Sequence, residues 1–214
     1  MSKLFAFGCS FTHGEGLADC LNYKKDKTSP IRPSVTPSQY AWPALLGKVL
    51  DKEVVNLGRP GCSNRYISQK ILNTTIQKDD IVVVLWTEYN RTTVITSDEN
   101  IHIRPMVETK LVTNYFKHIY DPYNSFLESV EAINLANYSL QNHQHVFNFK
   151  TTENKIELRN YPHQDRYPYP VWHRIELFEQ PLYFIDIAPD DDHPGPKSQK
   201  LIARDMLERI TNND

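Results

Sequence analysis

Short apolar runs separated by polar turns recur along the chain, and they predict strands that are buried in a sheet. The run Ile81–Leu85 reads I-V-V-V-L, and its unbroken β-branched character is typical of a strand covered on both faces. The run Lys3–Phe7 is similar and ends at Gly8, as a central parallel strand would. Five strands are predicted, at Lys3–Phe7, Glu53–Leu57, Ile81–Leu85, His145–Phe149 and Leu182–Ile185.

Between these runs, apolar residues recur at spacings of three and four, which is typical of helices with one buried face. Ile202, Met206 and Ile210 repeat every four residues on a closing helix that begins at about Pro196. A helix that begins near Ser38 is predicted to carry on one face Tyr40, Ala41, Ala44, Leu45 and Val49.

Two further helices complete an alternation of strands and helices along the chain. They are predicted from Ser63 or Asn64 to about Ile76, and from Asp121-Pro122 to about Gln144. Such alternation indicates an α/β protein, a three-layer α/β/α sandwich with a mainly parallel five-stranded sheet.

Length and composition then narrow the class of protein. With 214 residues the chain is predicted to form one domain over 1–214, with inserts at about 87–120 and 150–181. Lys and Arg number 24 and Asp and Glu 26, a formal net charge of −2, which argues against binding nucleic acid through charge. No apolar run approaches the ~18 residues of a membrane-spanning helix. Three cysteines without a C-x-x-C pair, and a short apolar start, favour a cytoplasmic location.

In an open parallel sheet, ligands bind beyond the carboxyl ends of the strands, so the residues there are the candidates for chemistry. The first strand is followed by G-C-S-F-T at Gly8–Thr12, and the second by N-L-G-R-P-G-C-S-N over Asn56–Asn64. The third is followed by W-T-E-Y-N-R at Trp86–Arg91, and the last helix is preceded by D-D-D-H-P-G at Asp190–Gly195. We expect these four blocks to meet at one edge of the sheet.

The four blocks contain the groups that acyl transfer requires. A serine hydroxyl becomes a nucleophile when an adjacent base takes its proton, and the base works best when a carboxylate fixes its tautomer. Ser10 follows a strand in a tight turn, and Asp190 lies three residues before His193, within reach of one ring nitrogen. Backbone N–H groups at Gly61 and Ser10 can meet a developing oxyanion, and an asparagine side chain can add a donor.

Together, an early G-x-S, a second-block glycine, a third-block asparagine and a late D-x-x-H-P resemble the SGNH (GDSL-type) esterase and acylhydrolase superfamily. The resemblance implies a flavodoxin-like α/β/α fold, with Ser10 as nucleophile, His193 as base and Asp190 as its partner. It also implies an oxyanion hole formed by the N–H groups of Ser10 and Gly61 and by an asparagine side chain.

Two blocks depart from the pattern of that superfamily. W-T-E-Y-N-R stands where G-x-N-D is usual, so Asn90 is the asparagine available as third oxyanion donor and Thr87 is the alternative. The first block has Cys9 where the superfamily usually has Asp. With G-C-S-F-T and W-T-x-x-x-R, the chain is similar to an SGNH-like group seen in tailed-phage genomes.

Other interpretations of the same blocks stay open. Cys9 is an alternative nucleophile because Cys-His pairs also form acyl-enzymes. Asp191 is an alternative to Asp190 as the carboxylate that orients His193. The D-D-D-H run also suggests a metal-dependent phosphoesterase, and the altered third block suggests a binding protein that keeps the fold without catalysis.

The sequence as a whole predicts a serine esterase that removes a small O-acyl group through an acyl-enzyme, without a metal or a cofactor. The expected partner is a small acylated substrate, with a carbohydrate as one candidate, and neither a membrane nor a nucleic acid is expected. The stretch Asn160–Trp172 is expected to form a stiff aromatic flap that packs over the domain, and the alternative is that its rings stack on a sugar or a base. The two inserts are expected to form a lid that selects the substrate, and the oligomeric state is left open.

Overall fold

The computed structural model describes residues 2–20, 36–105, 107–151, 178–179, 185–190 and 192–212. The strands in these ranges are β1 (Lys3–Gly8), β2 (Glu53–Asn56), β3 (Ile81–Trp86), β4 (Thr92–Ile95), β5 (Asn100–Ile103), β6 (His145–Lys150) and β7 (Phe178–Glu179). The helices are α1 (Ser10–His13), α2 (Trp42–Leu50), α3 (Asn64–Leu72), α4 (Lys110–His118), α5 (Pro122–Leu140) and α6 (Pro196–Thr211).

The central sheet has five strands in the order β2-β1-β3-β6-β7, and every neighbouring pair is parallel. Taken in chain order, these strands follow the 2-1-3-4-5 arrangement of flavodoxin-like folds. The parallel five-stranded sheet that the sequence predicts is therefore confirmed. Strands β4 and β5 form a separate antiparallel hairpin within the first predicted insert.

Strand β3 lies at the middle of the sheet, and its side chains alternate between two apolar clusters. Val83 and Leu85 join the cluster on one face, whereas Val82 and Val84 join the cluster on the other. All four are fully buried. The unbroken β-branched run thus corresponds to a strand covered on both faces, as the sequence predicts.

Helices cover both faces of the sheet and complete the three layers. Residues of α2 and α6 pack in the first cluster, and residues of α3 and α5 pack in the second. On α6, Ile202, Met206 and Ile210 are exposed by only 1%, 0% and 3%, so the four-residue repeat marks the buried face. On α5, Asp121 caps the first turn by accepting a hydrogen bond of 2.8 Å from the Asn124 N–H.

The predicted face of α2 is correct only in part. Ala41 is buried and Leu45 packs against the first cluster, whereas Tyr40 and Val49 are exposed by 52% and 65%. The buried residues on this helix also include Trp42 and Leu46. The helix begins at Trp42 rather than near Ser38, because Ser38 forms a turn in which its hydroxyl accepts from the Tyr40 N–H at 3.0 Å.

The fifth strand of the sheet is described at Phe178–Glu179, where Phe178 pairs with Phe149 and Glu179 with Lys150. Most of the predicted fifth strand, Leu182–Ile185, lies outside the described residues. Residues 180–184 and most of the second insert, 152–177, lie outside the described residues, and with them the stretch Asn160–Trp172.

Across the described ranges, no helix combines the length and apolarity needed to cross a bilayer.

Truncating the buried face of α6 tests this packing. Met206→Ala removes a fully buried side chain between α6 and the sheet, and we expect it to lower the free energy of unfolding by about 2–5 kcal/mol. Lys200→Ala, on the exposed side of α6, should change it by less than about 0.5 kcal/mol. Denaturant unfolding followed by circular dichroism measures both, and equal effects would contradict the assignment of the two faces.

Candidate active site

Ser10 lies directly beyond the carboxyl end of β1, as the first residue of the short helix α1, and its exposure is only 2%. The preceding residue, Cys9, has extended backbone angles, and its carbonyl accepts hydrogen bonds from the Thr12 and His13 N–H groups at 3.1 and 3.0 Å. The chain therefore turns sharply from strand to helix at Ser10.

Cys9 and Cys62 are both buried and pack in the apolar cluster on the α3 and α5 side of the sheet. The Cys62 thiol donates to the Gly8 carbonyl at 3.5 Å. Burial, aided by the nearby Cys9 thiol, raises the pKa of Cys62 well above its ordinary value, so this group is held as the neutral thiol.

Asn56 joins the turn after β2 to the turn after β1. Its side-chain NH₂ donates to the Thr12 carbonyl at 2.7 Å, and its side-chain oxygen accepts from the Gly58 N–H at 2.9 Å. The Arg59 N–H donates to the Gly8 carbonyl at 2.9 Å. These bonds fix the second block against the first.

Gly61 ends this second turn in the left-handed region, with φ of 73°, where a side chain is disfavoured. A Cβ at this position would stand 3.5 Å from Nη1 of Arg104, so the arginine side chain lies over the turn. The left-handed conformation explains why a glycine occupies the predicted oxyanion position. Arg104, which belongs to the predicted insert at about 87–120, lies beside this position.

The third block is fixed by Asn64, a residue to which the sequence assigns only a helix start. The Thr87 N–H donates to the Asn64 side-chain oxygen at 2.9 Å, and the Asn64 NH₂ donates to the Thr87 carbonyl at 3.0 Å. The side-chain oxygens of Thr87 and Asn90 are buried without a hydrogen-bond partner. The role of either residue as third oxyanion donor stays a prediction.

Asp190 and His193 lie in a narrow loop over residues 186–195. An antiparallel bridge joins Ile187 to Pro194 in this loop. The His193 Nδ1–H donates to Asp190 Oδ2 at 2.6 Å, and the His193 backbone N–H donates to the other carboxylate oxygen at 3.2 Å. Burial would raise the pKa of Asp190, but the hydrogen bonds from His193 hold it below its ordinary value. Asp191, the alternative carboxylate, lies outside the described residues.

Asp186 fastens this loop to α6, a role that the sequence does not reveal. Its carboxylate accepts hydrogen bonds from the Lys197 and Ser198 N–H groups at 2.9 and 2.7 Å and from the Ser198 hydroxyl at 2.7 Å. The Gly195 N–H donates to the Asp186 carbonyl at 3.0 Å. Partial burial would raise the pKa of Asp186, but these donors hold it below its ordinary value.

The loop packs on the residues that flank Ser10. The His193 ring meets the Phe11 ring edge-on at a centroid distance of 5.9 Å. Gly16, at φ of 85°, lies so close to Asp190 that a Cβ would collide with the carboxylate. Residues from the two ends of the chain therefore meet at the carboxyl end of β1.

Glu15 is the unexpected member of the site. Its Oε2 lies 3.5 Å from His193 Nε2, and this buried oxygen has no hydrogen-bond partner. Nε2 is thus directed at Glu15, and among the described residues it makes no hydrogen bond to the Ser10 hydroxyl. The G-E-G sequence, with left-handed glycines at 14 and 16 on both sides of Glu15, is the signal that would have drawn attention to it.

Within the described ranges, no group of three or more His, Cys, Asp or Glu side chains is arranged to hold a metal ion. Of the D-D-D-H run, Asp190 contacts His193 through one carboxylate oxygen and Nδ1 of the ring, and Asp191 lies outside the described residues.

Comparison with known proteins finds solved structures that have a similar fold. No family model matches the chain, and no curated protein matches it. Among solved structures, the chain is similar to a lipolytic protein of the G-D-S-L family from Desulfitobacterium hafniense DCB-2, with 14% identity, a TM-score of 0.52 and coverage of 98% of this chain and 99% of that one.

It is also similar to two carbohydrate-active enzymes. An acetyl xylan esterase from Butyrivibrio proteoclasticus has 14% identity and a TM-score of 0.57, and a carbohydrate esterase family 2 enzyme from Corynascus thermopiles has 11% and 0.58. The match covers 99% of this chain but 64% and 66% of theirs, so the chain spans about two thirds of their length. At these identities the likeness shows the fold alone, an α/β/α sandwich that the chain shares with these three proteins.

The Asp186 cap predicts a pH dependence of stability. Because its folded-state pKa lies below the ordinary 3.8, the carboxylate stabilises the fold above that pH, and the contribution is lost as the pH falls through the folded-state pKa. Asp186→Asn keeps the size of the side chain but removes its charge at the N-terminus of α6, so we expect it to lower the free energy of unfolding by about 1 kcal/mol at pH 7, and by progressively less in acid. Denaturant titrations at several pH values measure this, with the exposed Asp79→Asn as control; a deficit that stays constant into acid would contradict the cap.

Proposed function

We propose that the protein is a serine esterase that removes a small O-acyl group, with Ser10 as nucleophile, His193 as base and Asp190 as its carboxylate. The observation that carries the proposal is the 2.6 Å hydrogen bond from His193 to Asp190 in a loop packed on Phe11, the residue next to Ser10. A base oriented by a carboxylate beside a buried serine at a strand end is the arrangement that acyl transfer needs.

In the proposed reaction, Ser10 Oγ attacks the acyl carbonyl and its proton passes to His193 Nε2. Asp190 stabilises the imidazolium that forms. The tetrahedral intermediate collapses as His193 returns the proton to the departing alcohol, which leaves the acyl group on Ser10. A water molecule, deprotonated by His193, then releases the acid and restores the serine.

Charge on the tetrahedral oxygen requires donors that are already in place. The N–H groups of Ser10 and Gly61 suit this role because bonds from Asn56 and Arg59 fix the two turns against each other. We assign Asn90 as the third donor, through its side-chain NH₂, with the Thr87 hydroxyl as the alternative, since each side chain has a buried oxygen that no hydrogen bond holds in place.

Glu15 sets a condition on this mechanism. His193 Nε2 must approach Ser10 Oγ to accept its proton, yet its contact at rest is Glu15, 3.5 Å away. That distance is longer than the bond to Asp190, so the ring is anchored at Nδ1 and less firmly held at Nε2. Catalytic hydrogen bonds often tighten only when substrate is bound.

We further propose that the substrate is an acylated carbohydrate. The support is the likeness in fold to an acetyl xylan esterase and to a carbohydrate esterase family 2 enzyme.

A non-catalytic carbohydrate-binding protein is the second candidate. Two observations favour it: the altered third block, and the direction of His193 Nε2 toward Glu15. A structure similar in fold, with a TM-score of 0.54, is described as a carbohydrate esterase whose active site displays divergent catalytic and non-catalytic binding functions.

Ser10→Ala separates the two candidates. If Ser10 is the nucleophile, the variant should fold normally and lose p-nitrophenyl acetate hydrolysis by on the order of 10³-fold or more. Wild type should also be labelled by a fluorophosphonate probe, and the variant should not.

Matched controls are Ser97→Ala in the exposed hairpin turn and Cys9→Ala beside the nucleophile. Both should keep labelling. Activity that survives in Ser10→Ala but disappears in Cys9→Ala would assign a thiol mechanism. The absence of labelling in the wild type would favour the binding protein, and activity abolished by chelators would favour a metal-dependent phosphoesterase.

The two carboxylates around His193 should differ in importance. Asp190→Asn removes the charge that fixes the tautomer, so we expect kcat to fall by about 10²–10⁴-fold. Glu15→Gln keeps the size of a side chain that makes a longer contact, and kcat/KM should stay within about tenfold of wild type. Steady-state kinetics on both variants test this, and an equal loss in Glu15→Gln would show that Glu15 is required for turnover.

A further inference from the structure

Three arginine side chains lie around the Gly61 turn, and the proposed mechanism uses none of these guanidinium groups. Arg59 lies in the same turn and is exposed. Arg104 follows β5, and its Nη1 stands 3.5 Å from where a Cβ on Gly61 would be. Arg91 precedes β4 and is 13% exposed at its side chain. Two of the three come from the insert at about 87–120, which thereby contributes positive charge to the edge that carries Ser10.

The charge of these arginines is poorly neutralised. The Nε and Nη1 groups of Arg91 are buried without a hydrogen-bond partner, and its Nη2 is 3.4 Å from Glu88. Within the described part of the chain, neither Arg59 nor Arg104 pairs with a carboxylate. Three positive charges thus face one negative charge, in a chain whose formal net charge is −2.

The ionisable groups facing the turn respond to this positive charge. Burial, with Arg59 and Arg104, lowers the pKa of His102 to about 4, so this ring adds no charge at neutral pH. Burial raises the pKa of Tyr66 and of Cys62, and Arg59 opposes the rise in both. Among the described residues, the carboxylate paired with these three arginines is that of Glu88.

We propose that Arg59, Arg91 and Arg104 form a subsite for an anionic oxygen group, a carboxylate or a phosphate, on the substrate whose ester is attacked by Ser10. This rests on the proposed function. Guanidinium groups bind carboxylate and phosphate oxygens through paired N–H donors, and the unpartnered N–H groups of Arg91 provide such donors. Since Arg104 lies over Gly61, the anion would sit within a few ångströms of the ester, on the leaving-group side or on the acyl group.

The kinetic test compares two esters that differ in one charge. An O-acetylated methyl glucuronoside carries a carboxylate, and the matching O-acetylated methyl glucoside does not. We expect wild type to favour the acidic ester by about tenfold or more in kcat/KM, and Arg104→Gln to reduce that ratio by about tenfold. Arg59→Gln, at an exposed position, gives a second variant should Arg104→Gln fold poorly. Arg204→Gln, on the exposed side of α6, is the matched control and should leave the ratio unchanged.

A binding test keeps this proposal separate from catalysis. In the Ser10→Ala variant, calorimetric titration with glucuronate, inorganic phosphate and glucose asks whether an anion binds where no ester is cleaved. Salt-sensitive binding of glucuronate or of phosphate, weakened by Arg104→Gln and not by Arg204→Gln, supports the subsite and identifies the anion. If neither anion binds better than glucose, the subsite is refuted even if wild type hydrolyses esters. Anion binding in a chain without hydrolysis would instead refute the esterase and keep the subsite.

Discussion

The packing of the 186–195 loop on the residues after β1 is the constraint on which the candidate site depends. Ser10 and His193 stand near opposite ends of the chain, and the parallel sheet brings both to the edge at the carboxyl end of β1. The loop is fastened on both sides, because Asp186 caps α6 and Gly195 bonds back to Asp186. The His193 ring is therefore oriented by Asp190 and Phe11.

Much of the fold can be predicted because burial leaves a direct pattern in the sequence. Strand β3 is covered on both faces, so its residues are all apolar, and one face of α6 is buried, so its apolar residues repeat every four. The buried face of α2 could not be read in this way. Its start depends on a turn at Ser38 that bonds to Asp19, and a shift of helix start changes which residues face the sheet.

The candidate site, like the fold, could be predicted from the sequence only in part. Asp190 and His193 are three residues apart, so their contact is local and the D-x-x-H spacing is enough to predict it. Glu15, Asn64 and Arg104 act through contacts with residues distant in sequence. The glycines on both sides of Glu15 indicate an unusual turn, but they do not reveal its contact with His193. Tertiary packing decides these roles, so they become visible only once the turns after β1, β2 and β3 are placed side by side.

The altered third block and the positive charge at Gly61 arise from the same stretch of sequence. W-T-E-Y-N-R stands where the resemblance to SGNH hydrolases would predict G-x-N-D, and Asn64 from the second block bonds to both backbone groups of Thr87 and fixes the start of this segment. The segment ends at Arg91, whose guanidinium is largely buried near Cys9 and Cys62. A buried charge with unpaired N–H groups is costly unless a ligand supplies an opposite charge and hydrogen-bond acceptors. This edge of the sheet is therefore better suited to binding an anion than to binding a neutral group.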